Sequence, residues 1–113
     1  MGSGLYSFPK ACHLRKSSDF QRVRQGGKRW HSSNFIIVVL HRSNSLTRLG
    51  LTVSRKVGGA VQRNRVKRLL REFFRNHINR LPIGVDISII AKIGAADINY
   101  SLICEELRFL VEK

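Results

Sequence analysis

Gly50-Leu51-Thr52-Val53-Ser54-Arg55-Lys56-Val57-Gly58-Gly59-Ala60-Val61-Gln62-Arg63-Asn64-Arg65-Val66-Lys67-Arg68-Leu69-Leu70-Arg71-Glu72-Phe73-Phe74-Arg75 changes its hydrophobic period partway along. At its start, Leu49, Leu51 and Val53 recur at every second residue, as one face of a strand does. Val57-Gly58-Gly59-Ala60 reads as a loop. Beyond it, Val66, Leu69, Leu70, Phe73 and Phe74 fall at helical spacing and form one apolar stripe. The stretch therefore reads as strand, turn and long helix.

With successive residues turned by roughly 100°, Asn64, Arg68, Arg71 and Arg75 fall opposite the stripe. Lys67 lies at the edge of that face, and Arg63 and Arg65 flank it at the helix start. The same helix thus docks on a core and presents cations to solvent. The plain alternative is a solvated face. Such a face normally mixes signs to gain i, i+4 pairs, and here Glu72 is the single acid. Arg, the better bidentate phosphate ligand, also outnumbers Lys. Gly58 and Gly59 allow either close backbone approach to a phosphate at a helix N-terminus or a simple turn. Their spacing matches no Walker or Rossmann loop.

The whole chain shows the same bias. It has 113 residues, one domain's worth, with a formal net charge of +14 and 42% apolar residues. Residues 1–30 hold seven basic side chains against Asp19, and residues 55–80 hold nine against Glu72. The remaining segments carry five of each sign and cancel. Charge concentrated in this way calls for a polyanionic partner, nucleic acid first and an anionic membrane surface second. The membrane reading is weak. The longest apolar run, Phe35 to Leu40, falls far short of the roughly 20 residues of a span. Tyr6 also stands where a myristoylation signal has Ser or Thr. A cytoplasmic location is expected, with Cys12 and Cys104 as free thiols.

Working outward, Ser18-Asp19-Phe20-Gln21 fits a capping box with Ser18 as N-cap. It predicts a short helix with Phe20 and Val23 inward, stopped by Gly26-Gly27. Phe35 to His41 reads as a strand and Arg42 to Thr47 as a turn, so Phe35–His41 and Arg48–Ser54 are expected to form an antiparallel hairpin. Trp30 to Ser33 could lead into the first of these strands. Val85 to Lys92 is a further strand. A second amphipathic helix runs from about Tyr100, with Leu102, Ile103, Leu107, Leu110 and Val111 as its stripe. Residues 1–13 are expected to be a flexible N-terminal arm and 14–113 the folded domain. The elements give an α+β sandwich, helices packed on a mainly antiparallel sheet.

The 26-residue block closely resembles the signature of the bacterial ribonuclease P protein subunit: a strand ending G-L-S-V-S-K-K, a G-x-A-V turn, then R-N-R-x-K-R-x-x-R-E. Leu14-Arg15-Lys16-Ser17-Ser18-Asp19-Phe20 resembles the family's first helix entry, and Asp86-Ile87-Ser88-Ile89-Ile90-Ala91-Lys92 its late strand. The resemblance implies the order α-β-β-β-α-β-α with a left-handed crossover. It also implies that a large RNA subunit with bound Mg²⁺ cleaves the 5′ leader from precursor tRNA. The protein would bind that RNA, likewise implied, through Arg55, Lys56, Arg63, Asn64, Arg65, Lys67, Arg68 and Arg71. A cleft between the first helix and the sheet would hold the leader at Phe20, Arg24 and Lys92. By the same resemblance the partners are ribonuclease P RNA and precursor tRNA, with a monomer in a 1:1 complex and Mg²⁺ bound mainly by RNA. Two departures stand out: Arg24 and Val38 occupy positions where relatives carry aromatics. Leader binding is therefore expected to lean on charge more than on base stacking.

Protein-centred catalysis has no support. His13, His31, His41 and His77 show no ligand spacing, and carboxylates are too few for a metal cage. No catalytic or metal-binding residue is expected. Asp86 and Asp97 read as strand-edge and turn residues, and Trp30 as partly buried at a sheet edge. A non-catalytic RNA-binding module such as a ribosomal protein is the runner-up reading, and a protein nuclease the third.

Overall fold

The computed structural model describes residues 13, 14, 16–42 and 47–112. The arm expected over 1–13 therefore lies, except for His13, outside the described residues, as do Cys12, Arg15 and most of the Arg42–Thr47 turn.

The elements are α1 (Ser17–Gly26), β1 (Lys28–His31), β2 (Phe35–His41), β3 (Arg48–Thr52), α2 (Ala60–Asn76), β4 (Val85–Ala91) and α3 (Tyr100–Glu106). Short 3-10 turns follow α2, β4 and α3. This is the order α-β-β-β-α-β-α. Trp30 is part of a separate edge strand, β1, rather than a lead into β2.

The strands form one sheet in the order β1-β2-β4-β3. β1 pairs with β2 and β2 with β4, both antiparallel, whereas β3 runs parallel to β4. The expected β2–β3 hairpin is thus not formed: β4 lies between them. The reason is visible in β4 itself. All its residues are buried except Ile90, which is half-buried, and a strand covered on both faces belongs at the sheet centre. Centrally placed, it takes both β2 and β3 as neighbours. β3 reaches it through α2, as a parallel pair requires a crossover.

Alternation along the strands creates two cores. On one face, Phe35, Ile37, Leu49, Ile87 and Ile89 meet Val66, Leu70, Phe73 and Phe74 of α2 and Ile103 and Leu107 from the C-terminal region. Burying each such side chain contributes roughly 1.5–3 kcal/mol. The opposite face is covered less completely. Val38 packs there with Val23 of α1 and with Leu14, and Phe20, Ile36 and Leu40 close the edges. In α3, Leu102 points outward rather than joining the stripe, and the helix ends at Glu106.

α1 begins earlier than the capping-box reading placed it. Lys16 is the N-cap, with no side-chain cap, and Ser18 lies within the first turn. Asp19 in that turn is drawn to Arg22 at 3.4 Å and to Arg48 of β3 at 3.6 Å. The acid therefore ties α1 to the sheet.

Candidate nucleic-acid interface

α2 separates its two faces as the stripe predicted. Val66, Leu70, Phe73 and Phe74 are buried, while Asn64, Arg68 and Arg71 are exposed. Arg55 and Lys56 are exposed in the turn that leads to the helix, and Arg63, Arg65 and Lys67 are half-buried on its flanks. Arg65 also has a structural contact, with Nη1 3.5 Å from the Ala96 carbonyl. Arg75 departs from expectation. It is half-buried, and its shielded Nε has no hydrogen-bond partner among the described residues. None of the eight residues Arg55, Lys56, Arg63, Asn64, Arg65, Lys67, Arg68 and Arg71 is ion-paired within the described residues.

The two glycines before α2 serve the helix start. Gln62 Oε1 accepts from the Gly59 N–H at 3.0 Å. A Cβ on Gly58 would collide with that Gln62 side chain, whereas one on Gly59 would meet nothing. Gly58 thus leaves room for the Gln62 side chain that caps the helix start, and the geometry favours a simple turn.

A second surface lies between α1 and the sheet. A cleft of about 300 Å³ is lined by Ser17, Phe20, Gln21, Arg24 and Thr52. Phe20 stands directly on β3: a Cβ at Gly50 would lie 2.5 Å from Phe20 Cε1 and 2.8 Å from Leu14 Cδ1. The Cε1 and Cζ atoms of the ring therefore rest against the Gly50 backbone. Directly opposed residues share a face, so the register draws a row across all four strands, His31, Ile36, Ile90 and Thr52. Ile36, Ile90 and Thr52 are half-buried and His31 is exposed, so α1 leaves this row partly open.

Phe20 and Arg24 thus meet in one cleft, as the sequence reading required. Lys92 does not line it. Its extended backbone continues the pleat two residues beyond Ile90, on the same face, and its Nζ donates to the Ser32 carbonyl at 2.7 Å. Val38 is no part of any open floor. It is fully buried beneath α1, and Ile36 and Ile90 are the accessible floor residues instead. Sequence reasoning missed Arg29 and His31, which the pairing with Val38 and Ile36 puts on the α1 face. Only the strand register carries that information. Arg29 Nη2 lies 3.5 Å from the Arg24 carbonyl, so two cations sit near the end of α1.

Trp30 is half-buried at the sheet edge, with Phe109 at 5.2 Å between ring centroids and Lys28 Nζ 5.5 Å from its own. Asp86 is fully buried and engaged by two guanidinium groups. Burial pushes its carboxyl up, but the hydrogen bonds and charges of Arg48 and Arg42 outweigh that and hold it below the usual carboxylate range. Arg48 is correspondingly raised, chiefly by its hydrogen bond to Asp86.

Residues 8–113 match the family model described as Ribonuclease P. The ribonuclease P protein component of Syntrophus aciditrophicus is 42% identical over 104 residues, covering 92% of this chain and 87% of that protein. Its counterpart from Geotalea uraniireducens is 40% identical over 108 residues, covering 96% and 95%. The solved RNase P protein of Staphylococcus aureus superposes with a TM-score of 0.81 at 33% identity, over 89% of this chain and 93% of that one. The RNase P protein from Thermotoga maritima gives 0.78 at 30%, over 88% and 94%. Sequence and overall fold therefore agree, and the chain belongs to the ribonuclease P protein family.

Proposed function

We propose that Arg55, Lys56, Arg63, Asn64, Arg65, Lys67, Arg68 and Arg71 bind the catalytic RNA of ribonuclease P, and that Phe20, Arg24 and Lys92 contact the 5′ leader of precursor tRNA. Family membership makes the chain the protein subunit of a ribonucleoprotein endonuclease that removes tRNA 5′ leaders, with no catalysis by the protein alone. The carrying observation is the cationic surface of α2 and its preceding turn, whose charges have no carboxylate partner among the described residues. Unpaired guanidinium groups held on a rigid helix suit a phosphate backbone, which supplies the missing anions and releases counterions.

The leader reading draws its support from the α1 cleft. A seated aromatic beside an arginine offers one stacking surface and one phosphate contact to an unpaired strand. Mg²⁺ is assigned to the RNA. Among the described residues no three of His, Cys, Asp and Glu stand together, and Asp86 is taken up by Arg48 and Arg42. The described carboxylates are thus engaged or scattered, which supports placing the ion on the RNA. We further infer a 1:1 complex with the RNA and a cytoplasmic location. No helix among the described residues is long and apolar enough to cross a membrane.

The test is reconstitution with a bacterial ribonuclease P RNA at low Mg²⁺. Cleavage of precursor tRNA is expected to be stimulated, and absence of stimulation would overturn the proposal.

A further inference from the structure

The turn between β1 and β2 is held from two sides by opposite charges. On one side, the Glu106 carboxylate at the end of α3 takes the turn's donors. Oε1 accepts from the Ser32 hydroxyl at 2.5 Å and from the Asn34 backbone N–H at 2.8 Å, and Oε2 accepts from Asn34 Nδ2 at 2.6 Å. On the other side, Lys92 takes its carbonyls. Nζ donates to Ser32 O at 2.7 Å, and the Lys92 backbone N–H donates to Asn34 O at 2.8 Å. The turn is closed internally by Ser32 N–H on Phe35 O at 2.9 Å.

The arrangement is more than a fold-closing contact. A lysine on an extended stem has many rotamers, and ordering it costs conformational entropy. Here one carbonyl fixes the ammonium, and that carbonyl belongs to a residue whose hydroxyl is clamped by Glu106. The ammonium has three donors, of which Ser32 uses one. Glu106 comes from the C-terminal helix, whose neighbours Ile103 and Leu107 belong to the core on the face away from α1. The carboxylate thus acts from the rim of the sheet without lining the cleft.

We propose that Glu106 is a positioning residue for leader binding: through Ser32 it fixes the Lys92 ammonium at the far end of the α1 face. This rests on the reading of Lys92 as a leader contact.

The experiment uses the full chain reconstituted with a bacterial ribonuclease P RNA. Affinity is measured for precursor tRNA and for mature tRNA, and their ratio isolates the leader. Lys92→Ala is expected to lower that ratio by about tenfold, the scale of one charge-assisted hydrogen bond. Glu106→Ala should lower it by a similar factor, and the double variant should fall no further than Lys92→Ala alone. Glu106→Gln should recover most of the ratio, because Oε1 still accepts and the Asn34 amide can turn to meet the new donors. Affinity for the RNA subunit and for mature tRNA should not change. Should Glu106→Ala fold poorly, Asn34→Ala removes one bond of the clamp and should move the ratio in the same direction by less. A loss for Lys92→Ala with none for the Glu106 and Asn34 variants overturns the positioning role and leaves the Lys92 reading standing. No loss for Lys92→Ala overturns that reading and the inference with it. An equal loss for both tRNAs, or weakened binding to the RNA subunit, reduces Glu106 to a fold-maintaining residue and also overturns the inference.

Discussion

Arg48 grips Asp86 with two parallel hydrogen bonds, Nε to Oδ1 at 2.9 Å and Nη2 to Oδ2 at 2.8 Å, while its Nη1 faces Asp19 of α1 at 3.6 Å. Arg42 adds a third bond to the same carboxylate at 2.9 Å. One guanidinium thus links β3, β4 and α1. Asp86→Asn should destabilise the protein by about 3 kcal/mol, the lower end for breaking a buried pair, because both arginines keep some solvent contact. The carboxyl has a folded-state pKa below its unfolded value. Its stabilising contribution is therefore complete above about pH 4, the unfolded pKa, and disappears as pH falls through the lower folded pKa. Chemical denaturation of both proteins across acid pH should show the wild-type advantage shrinking below that point.

Gly50→Ala should act on the cleft rather than on α2. The new methyl would sit 2.5 Å from Phe20 Cε1, so the ring must move. Overpacking of this kind costs typically about 1–3 kcal/mol. We expect a lower melting temperature and a several-fold loss of preference for precursor over mature tRNA, with unchanged affinity for the RNA subunit. Equilibrium binding with both tRNAs, alongside thermal melting, checks this.

Arg68→Ala and Arg71→Ala should each weaken binding to the RNA subunit and flatten its logarithmic salt dependence by roughly one unit per lost phosphate contact. Arg65→Ala should differ, because its guanidinium also reaches the Ala96 carbonyl. A measurable stability loss should accompany its change in slope. Affinities over a salt series, paired with denaturation curves, separate the two classes.

Arg24→Phe tests the expectation that leader binding here leans on charge. The variant places a second aromatic beside Phe20 in the cleft. A stacked base would add about 1–3 kcal/mol, while a lost phosphate contact to a single strand lowers the salt slope by about 0.7. Leader affinity should therefore become less salt-dependent and exceed wild type at high salt.

Much of this was legible in the sequence because it depends on local order. Val66 to Phe74 fixed a helix and its inward side, and the opposite side followed with Asn64, Arg68 and Arg71. Arg75 escaped that reasoning because its shielding comes from the tertiary environment, which an angular projection does not contain. Strand partners were illegible for the same reason. Phe35–His41 and Arg48–Thr52 are neighbours in the chain, but the buried β4 inserts between them. Asp86 and Ser88 interrupt its apolar residues in the alternation of a half-solvated strand, so its burial on both faces gave no signal in the sequence. Ser18 was misread because α1 starts two residues earlier without a side-chain cap. The seat of Phe20 on Gly50, the Arg29–His31 face and the Glu106 clamp all depend on register, which composition and periodicity do not encode.

The insertion of β4 between β2 and β3 also constrains how the molecule is made. Neither strand can complete its ladder until residues 85–91 exist, so the sheet closes late, through contacts distant in sequence. The closing loop from β3 to β4 contains α2 itself. During synthesis, the cationic helix leaves the ribosome before the strand that completes its floor. Topology thus leaves the helix waiting on a strand made after it for the core that its apolar stripe requires.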